Sequence, residues 1–590
     1  ENKVSIFDIA QKKVTQSFTI KGTPLALAIA NSQIIVSTDA GQILLFSASG
    51  KNIKNVQKKV VAKSSPVVQK EVKILLQQAT IKQGYALLNG VSTDMIESFL
   101  VESPYSLVVL ENDPQKFQLL QKTLGQLELY GERLQLIKGK LSKSPFASRL
   151  FSLIVDADSK GNKPEINRLL HPYGGAYFKG SSLTKSFVLE SVPGAGDWTH
   201  QYHDPANTAA SQDTIVKGPL AIRWFSDFDF FMPNRHGQAP APLYLNGRMF
   251  IEGLDGLICV DAFNGRKLWT RSFPKLLKHL DQDHLIGTSV RGGNMVISDK
   301  YLFLVIADKC HKIDPLTGKD LGVIQLPEKG EWGYLAYQNG ILYGSIVDKS
   351  YLVRWGYKKG DMNGIFSESK SLFAMNPKDG KLLWSYKAKD SIRHNTICLS
   401  GSTLYFIDRP LPEGESYSLA LAKRRGKSAQ VIHKTGLLIA LDSKSGKKKW
   451  QNDKEIYGTL LCADSKSQTL LMTYSFTSWK LPSEVGGKMT AFDMFSGKLR
   501  WQQKTVKGGY SKRSRPVLLG KRIFMEPAVY DISTGKVLDM KINRTYGCGL
   551  NTACKNLLLL RSGTLGFIDL NNPKRIENYG GIRSGCWINV

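Results

Sequence analysis

The sequence predicts a mainly β protein built from repeated four-stranded units and interrupted by one α/β region, and three observations support this. First, a hairpin pattern returns in similar form at residues 256–269, 436–450 and 487–501. Second, a pair of alternating apolar segments precedes each hairpin, as at 241–252, so one unit comprises four strands. Third, the alternation stops near Lys51, and helical and strand-like segments then take turns along the chain.

Each full copy of the hairpin has an alternating apolar run, then Asp, Gly four residues later and Trp four residues after that. Asp accepts hydrogen bonds within the turn, and Gly allows the backbone conformation that the turn needs. The full copies are Asp261, Gly265 and Trp269; Asp442, Gly446 and Trp450; and Asp493, Gly497 and Trp501. Copies with substitutions occur at 311–322, 371–384, 529–539 and 566–576. Four-stranded units that repeat every ~40–65 residues are typical of β-propeller blades, and we expect about eight blades.

The hairpin resembles the AxDxxTGxxxW motif that closes each blade of quinoprotein-type (PQQ-like repeat) β-propellers. The run DWTHQYHDPANTAAS at 197–211 is similar to the segment that opens propellers of that family, and the resemblance covers about residues 197–590 and 1–47. It implies a periplasmic or extracellular protein and, in some members, pyrroloquinoline quinone (PQQ) on the propeller axis. The quinone-dependent enzymes of the family carry two adjacent cysteines against the cofactor, whereas this sequence has no Cys-Cys pair. Many members are scaffolds without cofactor, so the fold alone does not imply a reaction.

The N-terminal residues are predicted to belong to the same propeller. Residues 3–20 keep a degraded form of the hairpin, and residues 24–50 add three strands. We expect residues 219–228, with Trp224, to be the outer strand that completes this first blade. The predicted organisation is 1–50 first propeller strands, 51–69 linker, 70–182 α/β insertion, 183–218 linker and propeller entry, and 219–590 remaining blades.

The insertion at 70–182 alternates strands with helices, which predicts a parallel sheet covered on both faces. It resembles a class I S-adenosylmethionine-dependent methyltransferase domain. The resemblance places the cofactor loop at Gly90 and the acid that holds the ribose hydroxyls at Glu111. The loop reads LLNGVST, however, with Leu and Ser at two expected glycine positions, and Lys140 stands where an acid is expected. Side chains in such a loop occupy the space that the cofactor needs, so we expect a degenerate, inactive domain kept for structure or docking.

The composition is strongly basic, with a formal charge of +30 and a pI near 9.6. Basic blocks at 422–427 and 443–450 fall in predicted turns and loops, where solvated lysine is ordinary. The alternative is attraction to polyanions such as anionic glycans or lipid headgroups. Nucleic acid is the least favoured partner, because no binding module is recognised and the basic residues are not interleaved with aromatic residues on one element. No apolar run reaches the ~18 residues of a membrane span.

A set of cationic residues is predicted at one mouth of the propeller, where each innermost strand begins. Reading that position along the chain returns arginine repeatedly, joined by histidine and tryptophan: Arg235, His236, Arg291, Trp332, Arg393, His394, Arg513 or Arg515, Arg544 and Arg583. Guanidinium groups bind carboxylate, sulfate or phosphate in bidentate geometry, so this convergence predicts an anion-binding funnel on the axis. The alternative is that the arginines only form salt bridges to neighbouring blades. We expect that Arg393→Ala weakens binding of an anionic ligand and that Lys447→Ala does not.

The seven cysteines leave the redox compartment open. Cys259, Cys310, Cys398 and Cys462 fall in strand-like segments, where a buried thiol is the ordinary interpretation. Cys548, Cys554 and Cys586 lie in corresponding segments of successive blades, which leaves a Cys548–Cys586 disulfide open. No cysteine or histidine spacing supports zinc, and His200 and His203 are expected to point to opposite sides of an extended segment. No GxSxG, HExxH or P-loop motif occurs.

The predicted function is an extracytoplasmic binding or scaffold protein. Its expected ligand is an anionic small molecule or a polyanion, and its other expected partners are proteins. Two enzymatic alternatives stay open: a PQQ-dependent oxidoreductase, and an active S-adenosylmethionine-dependent methyltransferase fused to a propeller. The chain begins with Glu and ends in GCWINV, which resembles an innermost strand without partners, so both ends are expected to be trimmed or processed.

Overall fold

The structure is a computed structural model that describes residues 2–48, 60–180, 182–283, 288, 291–350, 365–411, 434–473, 488–506, 515–547 and 549–586. Arg513, Cys548 and the basic block at 422–427 lie outside the described residues. The chain divides into two compact units, Glu1–Ala62 with Gln118–Gly131 and Lys63–Phe117 with Glu132–Val590. Each unit is described by itself below.

The first unit contains two small antiparallel sheets. One sheet pairs β1 (Lys3–Asp8) with β2 (Lys13–Thr19), and the other comprises β3 (Pro24–Ala30), β4 (Gln33–Thr38) and β5 (Ile43–Ser47) in that order. Val4, Ile20 and Val36 form a small buried core. The strands occur where the alternation predicts them, and their membership of the propeller stays a prediction.

The α/β region has a six-stranded sheet in the order β11-β10-β9-β6-β7-β8, parallel except for the antiparallel pair β10–β11. Its elements are α1 (Pro66–Gln78), β6 (Tyr85–Asn89), α2 (Thr93–Glu102), β7 (Ser106–Glu111), α3 (Pro114–Leu124), β8 (Leu134–Lys138), β9 (Phe151–Asp156), α4 (Lys163–Leu169), β10 (Gly175–Lys179) and β11 (Thr184–Leu189). Ser65, Ser92 and Asn162 cap α1, α2 and α4 by accepting a backbone N–H. The sheet continues beyond the predicted end at residue 182, because β11 adds an antiparallel edge strand.

Seven four-stranded antiparallel sheets occupy the described part of residues 243–579, and we number them blade 1 to blade 7 in chain order. Blade 1 comprises β12 (Leu243–Leu245), β13 (Arg248–Glu252), β14 (Gly256–Asp261) and β15 (Lys267–Ser272); blade 2, β16 (Met295–Ile297), β17 (Leu302–Ile306), β18 (Lys309–Ile313) and β19 (Asp320–Gln325); blade 3, β20 (Trp332–Gln338), β21 (Ile341–Val347), β22 (Glu368–Met375) and β23 (Leu382–Arg393); blade 4, β24 (Cys398–Ser400), β25 (Thr403–Asp408), β26 (Leu437–Asp442) and β27 (Lys448–Asn452). Blade 5 comprises β28 (Leu460–Asp464), β29 (Thr469–Thr473), β30 (Lys488–Asp493) and β31 (Leu499–Lys504); blade 6, β32 (Val517–Leu519), β33 (Arg522–Met525), β34 (Ala528–Asp531) and β35 (Val537–Lys541); blade 7, β36 (Thr552–Ala553), β37 (Leu557–Ser562), β38 (Thr564–Asp569) and β39 (Glu577–Tyr579).

The predicted mainly β propeller fold with four-stranded blades is confirmed. Each blade runs in sequence from the innermost to the outermost strand, and one residue pair, Ile392 with Asp408, joins blades 3 and 4 into a continuous sheet. Short 3-10 helices cover Lys278–Leu280 and His394–Thr396.

The hairpin tryptophans pack on the blade that follows. The Trp450 indole lies against Gly497, and its Nε1 donates a hydrogen bond to the carbonyl of Met494 at 3.1 Å. The same arrangement joins Trp269 to Gly318, Trp384 to Gly446 and Trp501 to Gly535. The repeat therefore specifies stacking between blades as well as the hairpin itself.

The prediction of an outer strand at 219–228 is wrong, because this segment forms no strand. The segment crosses from blade 7 to blade 1. On the blade 7 side, the N–H of Ile222 donates to the Tyr579 hydroxyl at 3.0 Å. Trp224 nevertheless docks against Gly265 of blade 1, and its Nε1 donates to the Ala262 carbonyl at 2.9 Å. The indole makes these contacts with the next blade, so it keeps its position without a paired strand around it.

Residues 198–211, here called the hub segment, contact the innermost strand of each of the seven described blades. The contacts follow chain order: Trp198 with Tyr244, Thr199 with Ile297, His200 with Tyr337, Pro205 with Leu399, Ala206 with Ala463, Thr208 with Leu518, and Ala209 with Ala553. In each contact a backbone N–H of the innermost strand donates a hydrogen bond to the hub segment. The acceptor is a backbone carbonyl, except at His200, which accepts through its side chain. The hub segment therefore satisfies backbone groups that the short innermost strands leave without a partner on this side.

Candidate functional site

Arg393 ends β23 and directly precedes the innermost strand of blade 4. Its Nε lies 2.5 Å from Oε1 of Glu368, at the start of β22 in blade 3, and the carboxylate is fully buried. The Ser391 hydroxyl donates to the other oxygen of Glu368 at 3.1 Å. This arginine therefore forms a buried ion pair at the junction of blades 3 and 4.

Arg409 follows β25 and lies beside this ion pair. Its side chain is 4% exposed, and no described residue accepts a hydrogen bond from Nε or from one terminal nitrogen, Nη2. Burial and the positive charge of Arg393 lower the pKa of Arg409 to about 9, against the opposing effect of the Glu368 carboxylate. Arg393 and Arg409 are thus neighbouring buried guanidinium groups, and Glu368 is paired with Arg393. We call Arg393, Arg409 and Glu368 the Arg393–Arg409 site.

Arg291 and His394 are joined by a second set of contacts. His394 Nδ1 lies 2.8 Å from the Arg291 carbonyl, to which it donates, so Nε2 is the acceptor for the Ser369 hydroxyl at 2.8 Å. Burial lowers the pKa of His394 to about 4, so the ring is neutral near pH 7. The Arg291 guanidinium lies 2.7 Å from His279 Nε2, and burial together with Arg291 lowers the pKa of His279 to about 3. Neither histidine is charged near neutral pH.

The space beside these groups is small. A cavity of about 30 Å³ is lined by Arg291, His394, Asn395 and part of the hub segment. A space of this size holds about one or two water molecules. It is too small for sulfate or a carboxylate ligand.

Three other predicted residues hold blades together. The Arg515 guanidinium lies 3.8 Å from the centre of the Tyr202 ring and donates to Asn395 at 3.2 Å. Arg544 forms a fully buried ion pair at 2.6 Å with Glu526, which follows the second strand of blade 6. Trp332 is buried and packs edge-on against Phe373. The salt-bridge alternative therefore describes the contacts of Arg393 and Arg544, whereas Arg515 is held by stacking and hydrogen bonds.

Of the remaining predicted residues, Arg235 and Arg583 are exposed and His236 is partly buried. Arg235 Nε donates to His236 Nε2 at 3.1 Å, and His236 Nδ1 lies 2.5 Å from an Asp283 oxygen. Arg583 is exposed near the end of the described chain. Direct contacts link Arg291 with His394 and Arg393 with Glu368; ligand binding by the whole predicted set stays a prediction.

Sequence reasoning missed Arg409 and Glu368. Arg409 follows a second strand rather than preceding an innermost one, so the register used to select the arginines passes over it. The available signal is the run YFIDRP at 405–410, in which an apolar strand ends in Asp and Arg before Pro. Glu368 has no such signal, because its pairing with Arg393 depends on the contact between two blades.

The crevice at the carboxyl ends of β6 and β9 is where open α/β sheets bind ligands. Here Asp156 is fully buried and accepts hydrogen bonds from Asn89 at 2.8 Å and from the Tyr177 hydroxyl at 3.0 Å. The Asp158 carboxylate lies against Gly90, within 3 Å of the position that a Cβ would take. Glu111 accepts the N–H groups of the two residues that follow it, at 2.7 and 2.8 Å. The chain's own side chains thus occupy the crevice beside Gly90, and binding by Gly90 and Glu111 stays a prediction.

The described cysteines are all buried: Cys259, Cys310, Cys398, Cys462, Cys554 and Cys586. The Cys548–Cys586 disulfide stays a prediction, because Cys548 lies outside the described residues. Within the described ranges, no group of three or more His, Cys, Asp and Glu side chains is placed to hold a metal ion. No helix in the described part of the chain is long and apolar enough to cross a membrane.

Comparison with known proteins supports the propeller assignment. Residues 311–531 match the PQQ_2 family model described as "Outer membrane protein assembly factor BamB". This part of the chain is therefore similar to BamB-type propellers. The sequence matches no curated protein at significant similarity.

Solved structures with detectable likeness include three of different kinds. Quinohemoprotein alcohol dehydrogenase from Comamonas testosteroni is 12% identical, with 66% of this chain and 74% of that chain covered and a TM-score of 0.42. BamB from Moraxella catarrhalis is 14% identical, with 54% and 77% covered and a TM-score of 0.32. A Methanococcus maripaludis protein described as an S-adenosyl-L-methionine-dependent methyltransferase is 20% identical, with 20% and 55% covered and a TM-score of 0.18.

Proposed function

We propose that this chain is an extracytoplasmic binding and scaffold protein built on a BamB-like propeller, and that its Arg393–Arg409 site binds a small anion. The observation that carries the proposal is the buried Arg409 guanidinium, which has two nitrogens without a hydrogen-bond acceptor. A buried donor without an acceptor costs ~1–3 kcal/mol, and more when the group is charged. A bound anion supplies these acceptors to Arg409.

The charge balance of the site favours an anion over a neutral ligand. Glu368 is fully buried and is already bonded to Arg393 and Ser391, so it offers little to Arg409. The lowered pKa of Arg409 has the same origin, since burial and Arg393 disfavour its charge more than Glu368 supports it. Carboxylate, sulfate and phosphate all match the planar fork of a guanidinium. The site is therefore proposed to bind an anion of this kind, and titration with each of the three ions shows which one binds most tightly.

The α/β region has a structural part in the proposal. Asp156 uses its oxygens on Asn89, Tyr177 and the backbone N–H groups of residues 160 and 161. These bonds close the crevice in which a nucleotide-type cofactor sits in related sheets. We therefore propose a supporting or docking role for this region, with protein partners, rather than methyl transfer.

Isothermal titration calorimetry of the full chain tests the anion site, with sodium sulfate, phosphate and citrate as probes at constant ionic strength. Arg409→Met removes the charge and keeps most of the side-chain length, and we expect it to weaken binding by ~10-fold or more, as for loss of a charge-assisted hydrogen bond. Arg393→Ala is expected to weaken binding as well. Lys447→Ala, at an exposed turn of the same blade as Arg409, is expected to leave binding unchanged.

Two results would overturn the proposal. One is equal binding by wild type and Arg409→Met, with both shown to be folded by circular dichroism. The other is equal loss in Arg409→Met and Lys447→Ala, which assigns the effect to bulk charge. Arg409→Lys is the control for a folding defect, because it keeps the charge. We expect it to retain part of the affinity while losing bidentate geometry.

A further inference from the structure

A cavity of about 530 Å³, here called the side cavity, lies between blade 1 and blade 7. Blade 1 contributes Tyr244 and Phe263 to its lining, blade 7 contributes Cys554 and Leu559, and the hub segment contributes Trp198. These walls are largely apolar. The volume lies within the ~300–1,000 Å³ range of small-molecule sites in proteins.

The two carboxylates that line the side cavity already have partners. Asp213 accepts backbone N–H groups at distances between 2.8 and 3.1 Å. Asp197 lies 3.4 Å from Nε2 of His203. Burial favours neutral His203, but the hydrogen bonds that its ring donates to Asp197 and Asp204, together with the charge of these carboxylates, raise its pKa to about 9, so the ring is cationic at neutral pH. Both carboxylates therefore have hydrogen-bond or ion-pair partners within the chain.

The two guanidinium groups in the lining, Arg149 and Arg223, have no carboxylate partner among the described residues. Arg223 donates from Nε to the Phe263 carbonyl at 2.6 Å and from Nη2 to the Ser148 carbonyl, so its acceptors carry no formal charge. Arg149 also lines the side cavity. No described residue forms a hydrogen bond or ion pair with the Arg149 guanidinium. Burial lowers the pKa of Arg223, and the nearby charge of Arg149 lowers it further against the opposing effect of Asp261.

We infer that the side cavity binds an amphipathic anion, a small molecule with an apolar body and one carboxylate or sulfonate group. The apolar body packs between Trp198, Tyr244, Phe263 and Leu559, and the anionic group pairs with Arg149 beside Arg223. Burial of apolar surface supplies most of the affinity, and the two guanidinium groups select the sign of the head group. This site is independent of the Arg393–Arg409 site.

The fluorescent probe 1-anilinonaphthalene-8-sulfonate tests the inference, since it combines aromatic rings with one sulfonate. The full chain is titrated with the probe, which is then displaced by dodecanoate or by dodecyltrimethylammonium, a cation with a chain of the same length. We expect dodecanoate to displace the probe at a concentration ~10-fold lower than the cation, because charge-assisted hydrogen bonds form only with the anion. Bound dodecanoate is also expected to slow alkylation of Cys554, which lines the side cavity.

Two variants locate the binding. Arg149→Met is expected to weaken dodecanoate by ~10-fold, whereas Arg575→Met, at an exposed arginine of blade 7 outside the side cavity, changes nothing. Ala195→Phe fills part of the side cavity from an irregular segment and is expected to reduce binding of both amphiphiles without changing sulfate binding. Equal displacement by dodecanoate and the cation, or unchanged affinity in both Arg149→Met and Ala195→Phe, would overturn the inference. Loss of sulfate binding alone bears only on the Arg393–Arg409 site.

Discussion

Trp450 packs on Gly497 of the next blade, and this contact allows a quantitative prediction. The φ of Gly497 is +68°, in the left-handed region, and a Cβ added there lies 2.4 Å from the Trp450 ring. Gly520 has nearly the same backbone angle, +61°, but a Cβ there meets nothing within 4 Å. The substitutions Gly497→Ala and Gly520→Ala therefore share the backbone cost and differ in the clash.

The two costs are separable in magnitude. A left-handed backbone costs a residue with a Cβ ~1–2 kcal/mol, and both variants have this cost. Gly497→Ala must also move the Trp450 indole, at an overpacking cost of ~1–3 kcal/mol, and disturbs its 3.1 Å hydrogen bond to Met494. We expect a total loss of ~2–5 kcal/mol for Gly497→Ala and ~1–2 kcal/mol for Gly520→Ala.

Hydrogen–deuterium exchange measured by mass spectrometry suits this comparison, because unfolding of a large chain with several domains is not a single two-state transition. In Gly497→Ala we expect amide exchange in β27, which carries Trp450, to accelerate by ~10-fold or more, since 1.4 kcal/mol corresponds to tenfold. In Gly520→Ala exchange in β27 stays as in wild type, and the smaller acceleration is confined to β32 and β33. Equal acceleration of β27 in both variants, or none in either, would refute the role assigned to the indole contact.

Two further predictions concern buried charge. His203 has a folded-state pKa of about 9 against an ordinary value of 6.5. The stability that its charge supplies is therefore fully present below pH 6.5 and is lost as the pH rises through 9. Across this window the thermal midpoint of wild type should fall more steeply than that of His203→Gln. Glu368→Gln removes the buried carboxylate that pairs with Arg393 in the Arg393–Arg409 site, so we expect a loss of ~3 kcal/mol or more and a lower thermal midpoint, partly restored by sulfate. Glu71→Gln on the exposed face of α1 is expected to change little. A wild-type midpoint that is flat between pH 6.5 and 9, or equal midpoints for the two glutamate variants, would contradict these expectations.

Local sequence patterns predicted the blades because the hairpin is specified locally. Asp493 accepts N–H groups within its own turn at 3.1 and 2.9 Å, and Gly497 lies four residues away, so every determinant lies within ten residues. The parallel sheet of the α/β region was predictable for a similar reason, since strand and helix periodicities differ clearly. The strand predicted at 219–228 was wrong because Trp224 was taken as evidence for a strand. Its contacts with Gly265 and Ala262 need only the next blade.

The candidate site was predicted less well because its determinants lie far apart in the chain. The register that selected the arginines places five of them before a described innermost strand: Arg235, Arg291, Arg393, Arg515 and Arg544. It gives no information on their partners. Glu368 reaches Arg393 across 25 residues, and Asn395 reaches Arg515 across 120. Whether a buried arginine has an acceptor depends on such distant residues. Arg393 pairs with Glu368, whereas no described residue accepts a hydrogen bond from Nε or Nη2 of Arg409. The local sequence does not show this difference.

The hub segment determines which arginines are available for a ligand. It contacts all seven described innermost strands, and Tyr202 within it stacks on Arg515. The space that remains beside Arg291 and His394 is about 30 Å³, enough for about one or two water molecules. An anion as large as sulfate does not fit there, so an arginine that binds one must lie away from the hub segment and have donors without acceptors. Among the described residues, Arg409 meets the second condition. It also follows the second strand of blade 4 rather than lying at the hub segment, so we propose the anion site between blades 3 and 4 rather than on the axis.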